Sequence, residues 1–229
     1  MGMPDIVLIA AGSPDPRHAE GVERLADVVR SRVRLGRAVG ACYLGHNSPT
    51  AAELAEELNR SVIAVPVLLA PGALSRVDVH SAARDLGNSG AMVRVSHPLG
   101  PDPKLFDACD ELLRAAGEEP DPDTTLIVYC QGSPDPADVE QVAGLMQGMA
   151  RPGWAGWSLA AMSGGATVEE AVERAQGRRV VAVPLLVADG PSLDEMRRRC
   201  DALGVRLVPG TLSDTQVLAD LVVARTNGA

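Results

Sequence analysis

Residues 8–16 read LIAAGSPDP and residues 127–136 read IVYCQGSPDP. Both place the same five letters between an apolar run of strand length and an amphipathic stretch. The chain must turn there directly from strand into helix. Gly12 and Gly132 permit the tight turn. Asp15 and Asp135 are expected to cap the helices, with Pro16 and Pro136 at their first positions. A turn of this kind lies beyond the carboxyl end of a parallel strand, where α/β sheets bind ligands. The second copy begins 120 residues after the first. Two further segments repeat in the same order. AVPVLLAPG at 64–72 is echoed by AVPLLVADG at 182–190, and PTAAELAEEL at 49–58 by ATVEEAVERA at 166–175. A shared order at a nearly constant offset marks an internal duplication.

The stretches around these segments alternate in character. Strands are predicted at 5–10, 38–44, 61–69, 91–96, 124–130, 155–161, 179–187 and 205–209. Their near-continuous Val, Ile, Leu and Ala content suits burial on both faces of a parallel sheet. Between them lie helix-period segments. In the first, Val22, Leu25, Ala26, Val29 and Val33 share one face. The predicted fold is α/β, with two similar domains, each a four-stranded, mainly parallel sheet flanked by helices. The acidic, proline-bearing stretch AAGEEPDPDT at 115–124 links them, giving domains at 1–116 and 117–229.

Composition narrows the function. The chain of 229 residues is 46% hydrophobic but only 2% aromatic, so its core is aliphatic. A net charge of −9 and the lack of any cluster of basic and aromatic residues argue against nucleic acid as a partner. No run reaches membrane-spanning length, and the first residues lack the pattern of a signal peptide. A cytoplasmic protein is expected, as monomer or homodimer. Cys42, Cys109, Cys130 and Cys200 have no metal-type spacing and read as reduced, mostly buried thiols. There is no P-loop, GxGxxG or nucleophile-elbow motif.

AGSPDP at 11–16, YLGHNSPT at 43–50, AVPVLLAPGALSRVD at 64–78 and HPLGPDP at 97–103 together resemble the class II tetrapyrrole chelatases. Among these they are most similar to the sirohydrochlorin and cobalt chelatases of the CbiX and SirB kind. The resemblance covers the first half and extends more weakly through the second, as in the long two-half members. It implies a tetrapyrrole or another anionic small molecule as ligand, and Co2+ or Fe2+ as substrate, with no cofactor. In that family, histidines after the first and third strands approach the metal and accept pyrrole protons. The corresponding residues here are Ala11 and Leu74. The family's glutamate falls at Gly45, the histidine of its PLG segment at Asp102, and the first-turn position of the second half at Gln131. Alanine and leucine offer no lone pair, so metal insertion by the usual residues is not expected.

The ligand-binding cleft is therefore expected at Ala11, Gly12, Ser13, Gly45, His46, Leu74, Arg76, Gln131 and Ser133. His46 and Gln131 are the catalytic candidates, and His46 is the one candidate for a metal. Arg76 could pair with a ligand carboxylate, or with Asp78 at the surface. His18 and His80 are expected to face solvent, and Trp154 and Trp157 to fill a core or stack on a planar ligand. Three functions remain open: a chelatase-family protein handling a tetrapyrrole or its metal in the cobalamin and siroheme branch, a non-catalytic binder of a tetrapyrrole, metal or partner, and an enzyme using the cleft on another small molecule.

Overall fold

The computed structural model describes residues 4–33, 37–58, 61–70 and 76–228, without the side chains of residues 76 and 77. The first sheet contains β1 (Ile6–Ala10), β2 (Val39–Tyr43), β3 (Val62–Pro66) and β4 (Val93–Val95), in the order β2-β1-β3-β4. The second contains β5 (Thr124–Cys130), β6 (Gly156–Ala161), β7 (Arg179–Leu185) and β8 (Arg206–Leu207), in the order β6-β5-β7-β8. All the strand pairings are parallel. The two halves share one topology, as the repeated sequence predicts. Strands β4 and β8, at corresponding edges of the two sheets, are shorter than their apolar runs suggest, with three and two residues.

The helices are α1 (Pro16–Arg32), α2 (Ala51–Ala55), α3 (Arg76–Leu86), α4 (Lys104–Ala115), α5 (Pro136–Gln147), α6 (Val168–Glu173), α7 (Pro191–Ala202) and α8 (Gln216–Asn227). Asp15 caps α1 by accepting from Arg17 N, and Asp135 caps α5 by accepting from Ala137 N, each at 3.0 Å. Thr50 and Thr167 begin α2 and α6 with equivalent capping boxes, so the duplication extends to the caps.

Successive strand residues point to opposite faces, and the core divides accordingly. Val7 and Ile9 pack beneath α2 and α3, while Ile127 and Tyr129 pack beneath α6 and α7. The opposite faces, carrying Ile6, Leu8, Leu126 and Val128, join one central core with α1, α4, α5 and α8. Val22, Leu25, Ala26 and Val29 of α1 are wholly buried in it.

The terminal helices are exchanged. Helix α4, at the end of the first repeat, packs against β7, and α8, at the end of the second, packs against β3 and α1. Polar contacts fix the exchange. Glu111 of α4 accepts from the backbone N–H groups of Gln216 and Val217 at the start of α8, at 2.9 and 3.1 Å. An anion at a helix N-terminus is stabilising. Arg225 of α8 donates to the carbonyls of Pro98 and Leu99 and to Asp102. Glu118 of the linker is 3% exposed and accepts from Arg179 and Arg206 in the second sheet. A boundary between residues 116 and 117 is proposed as that of the repeat unit, with packing that crosses it.

Candidate functional site between the halves

In each sheet the chain passes from the central strand to one neighbour and returns on the other side. This creates a topological switch point at the carboxyl ends of β1 and β3, and another at those of β5 and β7. The two switch points face each other across a cavity of about 260 Å³. Residues 10–13, from the end of β1, form part of its wall, with residues 67–70 after β3, residues 130–132 from the end of β5, and residues 185–192 from the end of β7 to the start of α7. Val139 and Val142 of α5 and His18 of α1 complete it. The wall is mostly aliphatic.

The GSPDP turns shape this wall through their glycines. Gly12 has φ +83° and Gly132 φ +80°. A Cβ on Gly12 would lie 1.8 Å from the carbonyl oxygen of Gly45, and one on Gly132 1.9 Å from that of Ser163. The first turn is held by the side chain of Asn47, whose Oδ1 accepts from Ser13 N at 2.8 Å. In the second turn Ser133 N donates to Ser163 O at 3.3 Å. Asn47 and Ser163 are positioning residues that sequence reading passed over.

The expected cleft residues separate into groups. Ala11, Gly12, Ser13 and Gln131 line the cavity. Gly45 lies behind Gly12, and His46 is exposed on the adjoining loop, with left-handed backbone at φ +66°. Neither borders the cavity. Ser133 is 1% exposed; its hydroxyl donates to Asp138 at 2.6 Å and accepts from Asp135 N at 3.2 Å. That hydroxyl is committed to the turn. Leu74 lies outside the described residues, and the side chain of Arg76 outside the described side chains. Trp157 packs edge-on against Phe106 in the central core and does not border the cavity.

Two neighbours on α1 take positions that the sequence did not suggest. Arg17 bridges the halves, donating to Asp15 at 2.6 Å, to Asp189 at 3.3 Å and to Asp194 at 2.6 Å. Its hydrogen bonds hold the carboxyls of Asp15 and Asp194 below the usual range. Arg17 thus places a basic side chain at the cleft mouth. His18, expected in solvent, instead lines the cavity, and its Nε2 is buried with no hydrogen-bond partner among the described residues. The helical period explains this correction. His18 lies four residues before Val22 and seven before Leu25, on the buried stripe of α1.

Desolvation lowers the pKa of His18 from the ordinary 6.5, with Asp15 pulling weakly the other way. The unfolded chain therefore takes up a proton near pH 6.5 that the folded chain refuses. Stability is fully present above that value and lost as the pH falls toward the depressed folded one. The loss is at most ~1.4 kcal/mol per pH unit for one proton. Denaturant unfolding at pH 7.5 and 5.5 should show a smaller acid loss in His18→Gln than in the parent; equal losses would show that His18 protonates freely.

The four cysteines are unpaired and buried. Cys130, at the cavity, has its thiol pushed up to about 11 by burial, so no thiolate is present at neutral pH. Among the described residues, no three His, Cys, Asp or Glu side chains are grouped to hold a metal ion. No helix among them is long and apolar enough to cross a membrane.

Residues 5–116 match the CbiX family model. No curated protein matches the chain. SirB from Bacillus subtilis, solved with Fe3+, superposes with a TM-score of 0.78 at 18% identity, over 97% of this chain and 93% of that one. CbiX, described as the terminal enzyme for biosynthesis of siroheme in denitrifying bacteria, gives 0.66 at 17% identity, over 98% and 99%. A multi-domain protein of Deinococcus radiodurans, described as structurally similar to chelatases, gives 0.71 at 21% identity, over 98% of this chain and 54% of that one.

Proposed function

Since this chain belongs to the CbiX family of class II tetrapyrrole chelatases, we propose that its inter-half cleft receives a tetrapyrrole of the siroheme and cobalamin branch, with Co2+ or Fe2+ as the accompanying metal substrate. The observation that carries this reading is the cavity itself. Two switch points, each opened by a GSPDP turn, converge on one apolar-walled space. Aliphatic walls suit the face of a planar ring, and Arg17 at the mouth suits its carboxylate arms. Those arms would compete with Asp189 and Asp194 for the guanidinium. At about 260 Å³ the cavity is smaller than the ordinary range for ligand pockets. Ring entry therefore requires the halves to part and the Arg17 bridge to loosen.

Insertion of a divalent metal into the ring releases two pyrrole protons. Ala11 lines the cavity but offers neither a metal ligand nor a proton acceptor. This specific loss favours a second reading, in which the protein binds the ring or its metal complex without accelerating insertion.

Anaerobic optical titration with sirohydrochlorin, followed by Co2+ or Fe2+, separates the two. A spectral shift with insertion above the spontaneous rate would show a chelatase acting through unfamiliar residues. A shift without acceleration would show a binder. No shift would remove the tetrapyrrole reading.

A further inference from the structure

We propose, on the reading that the cleft takes a tetrapyrrole, that it favours the metallated ring and that His18 supplies an axial ligand to its metal. The argument begins with the number of donors. A free divalent cation bound by a protein ordinarily needs three or four side-chain ligands. No such group is assembled among the described residues. A metal already held by four ring nitrogens needs only one donor, along the axis perpendicular to the ring.

The cavity offers one such donor in a suitable place. His18 Nε2 is buried, unpaired among the described residues, and part of an imidazole that lines the space between the halves. An unpaired buried nitrogen carries an unfavourable desolvation that a coordinated ligand would relieve. A neutral imidazole has a lone pair to give on the ring nitrogen that carries no proton. Val67, Leu69, Val142 and Leu185 supply apolar wall to the same cavity, as the face of a macrocycle requires. His18 is also adjacent in sequence to Arg17, whose bridge spans the halves. Parting the halves to admit a ring would thus release the Arg17 guanidinium beside His18.

The test uses the full chain and cobalt(II)-sirohydrochlorin prepared without enzyme, under anaerobic conditions. In low-spin cobalt(II) the unpaired electron lies along the axial direction, so one axial 14N splits the cobalt lines of the electron paramagnetic resonance spectrum into triplets. Triplets are expected for the parent protein, and doublets after labelling its histidines with 15N. The labelling identifies a histidine donor without relying on a mutant that might misfold. His18→Ala and His18→Gln should both lose the splitting. Their affinity for the cobalt ring should fall about tenfold or more, much further than for the metal-free ring, whereas a merely structural role would weaken both alike. Binding without splitting, or splitting that survives in both variants, would overturn the axial role and leave the proposed function standing. Failure of the parent to bind either form of the ring would remove both.

Discussion

Gly12→Ala is expected to destabilise the protein by ~4 kcal/mol and lower its melting temperature by ~10 °C. Two costs combine. The residue has φ +83°, and a side chain in left-handed backbone costs ~1–2 kcal/mol. The added Cβ would also stand 1.8 Å from the Gly45 carbonyl oxygen. That neighbour is backbone and cannot rotate aside. Relief requires the GSPDP turn to withdraw from the loop after β2, which stretches the Ser13 N–Asn47 Oδ1 hydrogen bond of 2.8 Å. Because the turn is a wall of the cavity, ligand binding should weaken along with stability. Gly132→Ala should behave alike, since its Cβ would stand 1.9 Å from the Ser163 carbonyl. Gly45→Ala is the internal control. Its added Cβ meets nothing within 4 Å, so its cost should stay within ~1 kcal/mol. Thermal unfolding of the three variants checks the geometry; equal melting temperatures for Gly12→Ala and Gly45→Ala would refute it.

The strand-ending turn was legible because its requirement is local. A glycine, a capping aspartate and a helix-starting proline each have a conformational reason that needs no tertiary contact. Double-sided burial was also legible, since nearly continuous Val, Ile, Leu and Ala leave no solvent face for β1, β5 or β7. Duplication then supplied two equivalent halves and therefore a cleft between two sets of strand ends. The partner of each turn was not legible. Nothing in GHNS marks Asn47 as an acceptor for Ser13 N, and nothing in MSGG marks Ser163 as its counterpart. These contacts join positions 34 and 30 residues apart through geometry that only the assembled sheet defines. Ser133 shows the converse. Its place in the turn made it a ligand candidate, but the Asp138 carboxylate in the first turn of α5 takes its hydroxyl.

His18 could have been read correctly from the sequence. The stripe that places Val22, Leu25, Ala26 and Val29 in the core continues back through position 18. Its place in the first helical turn suggested solvent, but the stripe governs. The Arg17 bridge had no comparable signal, because Asp189 and Asp194 lie more than 170 residues away in the other half.

Phe106→Ala is expected to cost ~3–5 kcal/mol, with its main local effect in the half to which it does not belong by sequence. Phe106 lies on α4, at the end of the first repeat, and is 2% exposed. Its ring meets Trp157 of β6 edge-on, with centroids 5.7 Å apart and planes at 83°. Arg151 covers the other aromatic at 5.0 Å and pairs with Asp110 of α4 at 3.3 Å. Truncation thus removes the chain's one phenylalanine, breaks an aromatic pair worth ~0.5–1.5 kcal/mol beyond its area, and loosens the helix that covers β7. Hydrogen exchange should lose protection first in β6 and β7. Leu54→Ala provides the contrast. Leu54 lies on α2 in the outer core of the first sheet, beneath no exchanged helix, so its loss of protection should remain with β1 and β2. If Phe106→Ala instead opens β1 and β2 first, the exchange of α4 and α8 does not hold the halves together. If β6 and β7 open first, the second repeat depends on a helix from the first, and parting the cleft by hinging, with α4 left in place, disturbs less packing than separating the two halves.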